Sequence, residues 1–304
     1  MTSIELPSSA VEIRAENPRS PFAMAGWPAV LFGGVFVAAG AFIVARAALG
    51  GVEGMHSPRW VAAAAGLIFL LAGLWVSGNG AADVVRTRTI AQRAAALPRE
   101  PWEWDHEWRH DGIESDAVRD IARAFGIVVF IAVFALPFHW IGFFAPHAPR
   151  PFAVGAILMD VALVWLLYRA VRLVLMRHRY GRSWLRFARF PFRAGDRVEL
   201  SLDSFGALSL VPSLQATLRC VQERYETRGT GKNRSTQVVC YALWSATATV
   251  EKDRKGFFDV AFDIPAGSPP SALRERPARY WELVLASGDV PGVDYEARFL
   301  VPVY

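Results

Sequence analysis

PFAVGAILMDVALVWLLYRAVRLVLMRHRYGRSWLRFARFPFRAGDRVELSL (151–202) holds the boundary that decides the fold. From Pro151 to Tyr168 the run is apolar apart from Asp160, and it is slightly short of the ~20 residues that cross ~30 Å of hydrocarbon. Arg169 and Arg172 extend it, because their long stems can carry the cations out to the headgroups. After Gly181 the period changes. Val198, Leu200 and Leu202 alternate with Glu199 and Ser201, the pattern of a half-buried strand. A lipid-embedded helix thus hands over to β-structure in water.

Three more apolar blocks lie upstream. Gly26 to Leu49 holds no charge before Arg46, Trp60 to Val76 opens on an interfacial tryptophan, and Ala122 to Ala145 ends in Phe138, Trp140, Phe143 and Phe144. Hydrophobic residues make up 53% of the 304, and the excess sits in the first 180, so one module belongs in lipid and one in water. The net charge of +5 is nearly all arginine, since Lys232, Lys252 and Lys255 are the only lysines. These arginines flank the apolar blocks, where cations meet lipid headgroups. No basic stripe with interleaved aromatics stands elsewhere, so the expected partner is the lipid bilayer and no nucleic acid.

Arginine placement sets an expected topology. Arg86, Arg88, Arg93, Arg99, Arg109 and Arg119 fall between spans two and three, and Arg177, Arg179, Arg182, Arg186 and Arg189 follow span four. The other two connections carry only Arg59 and Arg150. N- and C-termini are expected to be cytoplasmic. Residues 1–20 are polar and contain acids, so no cleavable signal is expected there. Ala62, Gly66 and Gly73 on span two, and Gly34 and Ala38 on span one, are the small residues expected to bring helices together.

Downstream the alternation repeats: Leu214, Ala216, Leu218 and Cys220; Val238, Cys240, Ala242 and Trp244; Phe258, Val260, Phe262 and Ile264; Trp281, Leu283 and Leu285; Tyr295, Ala297, Phe299, Val301 and Val303. Seven or so strands with one apolar face each suit a two-sheet antiparallel sandwich. TRGTGKNRS (227–235) reads as a hairpin loop, and Val290-Pro291-Gly292-Val293 as a type II turn before the last strand.

FDVAFDIPAGSPPSALRERPARYWELVLASGDVPGVDYEARFLVPV (258–303) resembles the arrestin-like sandwich, in which a strand ending F-x-(I/L)-P leads through Pro-Pro-Ser to Y-W-x-(L/V) and a final valine-rich strand. Upstream, Pro98, Pro101, Trp102, Trp104 and Trp108 match the P-x-x-P-W-x-W-x-x-x-W loop of a family of bacterial four-helix inner-membrane proteins carrying such a sandwich, a domain of unknown function. Tyr180-Gly181-Arg182-Ser183 fits that family's entry into the β domain. The loop here departs from the pattern in being acidic and holding two histidines. The resemblance implies fold, topology and an inner-membrane location, and it implies no activity. The expectation is an α+β multidomain protein: a polar tail (1–23), a four-helix transmembrane bundle (24–178) with a cytoplasmic loop (78–121), and a cytoplasmic arrestin-like, immunoglobulin-like β-sandwich (180–304).

Three sets of residues invite a chemical reading. His106 and His110 would share a face if their segment were helical, with Asp105, Glu107 or Asp111 nearby, a conceivable metal site, but Pro98 and Pro101 oppose a long helix and no third ligand has a fixed spacing. Trp102, Trp104 and Trp108 read as an interfacial or docking loop. His139 and Asp160 fall at similar depth in antiparallel spans three and four, so a polar pair is expected there. It would either lock the helices together or take part in a relay. Cys220 and Cys240 lack metal or redox spacing, and no nucleophile motif or phosphate loop is present, so neither a cofactor nor an enzyme activity is expected. What remains is a membrane scaffold whose sandwich binds a protein or peptide partner. The alternative is a transporter or channel-like accessory organised around Asp160 and His139.

Overall fold

Four helices among the described residues of the computed structural model are long and apolar enough to span a bilayer. They are α1 (Trp27–Ala48), α2 (Arg59–Ala96), α4 (Ala117–His139) and α5 (Arg150–Tyr180), and a one-turn α3 (Trp102–Asp105) lies between α2 and α4. The structure describes residues 10–13, 25–50, 59–115, 117–144, 150–203, 206–229, 234–254, 256–287 and 294–304. The turn expected at Val290–Val293 and the centre of the 227–235 hairpin lie outside them.

Helix limits follow local chemistry. Pro28 stands in the first turn of α1, where its missing N–H costs nothing. Span two was expected to end near Val76, with a loop from residue 78. Instead α2 runs on to Ala96, because alanine, arginine and glutamine favour helix and no proline intervenes before Pro98. Pro137 lies inside α4, and the backbone beyond it loosens into a π-helical turn at Trp140–Phe144.

The chain divides into two compact units, one helical and one β-rich. In the helical unit α1 and α2 meet along glycines seven residues apart. Gly33 and Gly40 of α1 are buried against Gly66, Gly73 and Gly80 of α2. A Cβ on Gly40 would lie 2.6 Å from the Gly66 carbonyl, and one on Gly80 would lie 2.8 Å from the Val30 amide. Ser77 donates its hydroxyl hydrogen across the seam to the Val30 carbonyl at 3.2 Å. The sequence pointed to Gly34 and Ala38 on α1, but both are exposed, and a Cβ on Gly34 would meet nothing within 4 Å. The seam follows a seven-residue period, as in left-handed helix pairs, rather than the four-residue step.

The β unit is assembled from three parts of the chain. One sheet has the order β1 (Val11–Ile13), β6 (Ser235–Glu251), β5 (Ser213–Arg228), β8 (Arg279–Ala286) and β9 (Glu296–Val301). The other has the order β2 (Gly112–Glu114), β3 (Trp184–Phe187), β4 (Arg197–Asp203) and β7 (Phe257–Asp263). All these pairings are antiparallel. Leu200, Leu202, Phe258 and Val260 from the second sheet share one buried core with Leu218, Trp281, Leu283 and Phe299 from the first. Two sheets closing on a common core make a sandwich.

The sandwich recruits two short strands from outside 180–304. β1, from the expected polar tail, pairs with β6, and β2, from the expected loop, pairs with β3. Each satisfies backbone groups along part of a sheet edge. Cys220 faces the shared core, whereas Cys240 belongs with Val221, Leu273 and Tyr280 in a second cluster. The register sets Cys240 opposite Glu223, and both cysteine side chains are buried.

Candidate functional site

The tryptophan loop folds against the β unit. Pro101 precedes the single turn of α3, which ends at Asp105 and leaves His106 extended. His106 and His110 therefore share no helical face. His106 packs edge-on to Trp108, with ring centroids 4.5 Å apart, and His110 stacks on Phe190 at 4.4 Å.

Asp105, which the sequence offered only as one of three acids beside His106 and His110, is the anchor of the loop. It is only 4% exposed. Its Oδ2 accepts the Leu273 amide hydrogen at 2.8 Å and the Tyr304 hydroxyl hydrogen at 3.0 Å. Oδ1 accepts the Arg274 amide hydrogen at 2.8 Å, and the Asp105 carbonyl accepts from Arg274 Nε at 2.9 Å. Trp108 donates from Nε1 to the Tyr304 oxygen at 3.0 Å and packs on both core clusters. Burial, with Asp105 alongside, pushes the Tyr304 hydroxyl well above the ordinary tyrosine range, so it remains a donor. Trp102 meets the Tyr304 ring edge-on, and Trp104 Nε1 donates to the Leu97 carbonyl at 3.2 Å. Trp102 and Trp108 thus hold the loop on the sandwich, whereas Trp104 ties the loop to its own start at Leu97.

In the helical unit the structure brings His139 and Asp160 together. Nε2 of the imidazole lies 3.0 Å from Asp160 Oδ2, and Nδ1 lies 2.9 Å from the Ala135 carbonyl. A carbonyl can only accept, so Nδ1 carries a hydrogen. One further proton must then sit between Nε2 and Oδ2. Whichever atom holds it, the pair is neutral overall, which is the state that hydrocarbon tolerates. Phe138 stacked on Phe152, and Gly142, whose absent Cβ would come 2.8 Å from the Ala153 amide, hold the two helices at this level.

Replacing Asp160 by asparagine should be nearly silent, because an amide N–H can donate to the neutral ring. Leucine should cost about 0.6 kcal/mol, and at most about 1.7, the range measured for interhelical bonds in membranes. A double-mutant cycle with His139→Ala on thermal unfolding in detergent checks this. Strict additivity would show that the two side chains do not interact.

A third feature was missed by sequence reasoning. β6 is 17 residues long, yet β1 covers only Cys240–Ala242 of its outer side. Among the described residues no strand pairs with that side from Trp244 to Val250. The stretch WSATATV holds no charge and no proline, two devices that usually blunt an exposed edge. Trp244, Ala246, Ala248 and Val250 face the core, and Ser245, Thr247 and Thr249 face outward. The signal legible beforehand was the missing charge, which alternation alone does not flag.

Among the described residues no group of three or more His, Cys, Asp or Glu side chains is placed to hold a metal ion. No protein-family model matches the sequence, and no curated protein is similar to it. Among solved structures, Spo0M, a sporulation control protein from Bacillus subtilis, aligns with 40% of this chain at 10% identity and a TM-score of 0.26. The aligned part spans 48%, about half, of that protein's length. The sandwich described above rests on its own strand pairing and shared core.

Proposed function

We propose that this chain is a multi-pass inner-membrane scaffold, with both termini cytoplasmic and no catalytic activity, whose β-sandwich docks a polypeptide by adding a strand to β6. The observation that carries the proposal is the uncharged outer side of β6 from Trp244 to Val250, with which no strand pairs among the described residues. β5 takes the backbone groups on the inner side of this stretch, and the alternate residues whose N–H and C=O point outward are a template for another strand. The arginine asymmetry supports the orientation, and the motifs of residues 258–303 support reading the sandwich as arrestin-like.

A photo-crosslinking amino acid at Thr247, whose side chain faces outward, tests the docking in native membranes. A covalent adduct with a polypeptide is the expected result. Irradiation that yields no adduct at all would remove the scaffold reading. The competing reading, a transporter or channel-like accessory, draws on the proton shared by His139 and Asp160, with the Asp160 side chain 49% exposed in its unit. It requires Asp160→Asn to abolish activity in a protein that still folds.

A further inference from the structure

We infer that the strand added to β6 is β6 of a second copy of this chain, so that two sandwiches join edge to edge in one continuous sheet. The inference rests on the docking reading above and names its occupant.

The chemistry of the edge is palindromic. Antiparallel pairing about a twofold axis at Thr247 sets Thr247 opposite itself, Ser245 opposite Thr249, Ala246 opposite Ala248, and Trp244 opposite Val250. Every opposed pair matches in kind. Hydroxyl meets hydroxyl on the outward face, small meets small beneath, and a large aromatic meets a branched aliphatic at each end. No charge enters the register, so nothing repels an identical strand. A hydroxyl pair of this kind already exists on the outward face, where Thr217 and Thr247 oxygens lie 3.0 Å apart between β5 and β6. Cross-strand threonine pairs of this type stabilise sheets.

The same edge already accepts an antiparallel strand next to this stretch. β1 pairs Val11 with Ala242 and Ile13 with Cys240, and Glu12 reaches over to Arg228 at 2.9 Å. The second copy would continue the sheet from where β1 stops. Seven paired residues extend about 24 Å. Two copies held in one membrane would also meet at raised effective concentration.

The register makes the test specific. Directly opposed residues bring their Cβ atoms to about 4.5–5.5 Å, close to disulfide reach, whereas Ser245 would lie about 14 Å from its own copy. The native cysteines do not interfere. Both are buried, and burial pushes the Cys220 thiol up to about 12. Full-length Thr247→Cys, oxidised mildly in membranes, should run as a disulfide-linked dimer. Ser245→Cys and Thr249→Cys should each remain monomeric alone and cross-link when co-expressed. A Thr247→Cys protein that stays monomeric overturns the inference, as does random collision, in which Ser245→Cys alone dimerises equally well. Capture of a different polypeptide by the photo-crosslinker at Thr247, with Thr247→Cys monomeric, would overturn the second copy and leave the docking reading standing. Absence of both products would remove the two together.

Discussion

Replacing Asp105 by alanine should destabilise the β unit by about 3–5 kcal/mol, the range for stripping a buried charged group from its partners. The carboxylate accepts the amide hydrogens of Leu273 and Arg274 and the hydroxyl hydrogen of Tyr304, at 2.8 to 3.0 Å. Alanine leaves both amides facing a side chain that cannot accept, in a place water does not readily reach. Asparagine should rescue little. Every group around the carboxylate donates, so the asparagine NH2 must face a backbone N–H whichever way the amide is turned. Tyr304→Phe should be milder, about 1–2 kcal/mol, because it removes one hydroxyl, and with it the acceptor of the Trp108 indole N–H, but leaves the two amide bonds in place. Denaturant unfolding of the full chain in detergent, followed by tryptophan fluorescence, reads all three variants. A loss below about 1 kcal/mol for Asp105→Ala would show that the clasp adds little to the fold.

Asp105 also shows where sequence reading stops. It stands in Glu103-Trp104-Asp105-His106-Glu107 among acids of the same type, and nothing local separates it from Glu107, which is exposed. Its role comes from Leu273 and Arg274, 168 and 169 residues away. The longer elements were legible because each carries its own periodicity. Val198, Leu200 and Leu202 alternate, and so do Phe258, Val260 and Phe262, and they pair as β4 with β7 in the structure. Four apolar runs gave four long helices. β1 and β2 were not legible. Three residues are too few to establish a period, and such strands exist only because a longer neighbour offers an edge. The His139 and Asp160 positions could be matched in depth because helix rise is constant. The second proton of that pair becomes visible only once the Ala135 carbonyl is placed at Nδ1.

The largest effect in the helical unit should come from Gly73→Leu. A Cβ at residue 73 would fall 2.6 Å from the Gly33 carbonyl oxygen, 2.6 Å from the Val37 amide nitrogen and 2.9 Å from Phe36 Cβ. Backbone atoms of a helix cannot swing aside as a flexible side chain can, so α1 and α2 must separate along their seam. Separation would weaken the close approach at Gly40 and Gly66 and lengthen the Ser77 bond to Val30. Without a hydrophobic driving force in lipid, this packing is much of what holds two helices together. Overpacking typically costs about 1–3 kcal/mol, and the upper end is expected where the obstacle is backbone. Gly34→Leu is the matched control. It adds the same side chain one residue from Gly33, into space that is open, and should change stability by less than about 0.5 kcal/mol. The pair separates two seams. If α1 met α2 through the four-residue step, Gly34 would be the sensitive position and Gly33 the tolerant one. Thermal unfolding in detergent that ranks Gly34→Leu as the more damaging change would exclude the seven-residue seam, because only a rotation of α1 by more than a quarter turn could bring residue 34 into contact.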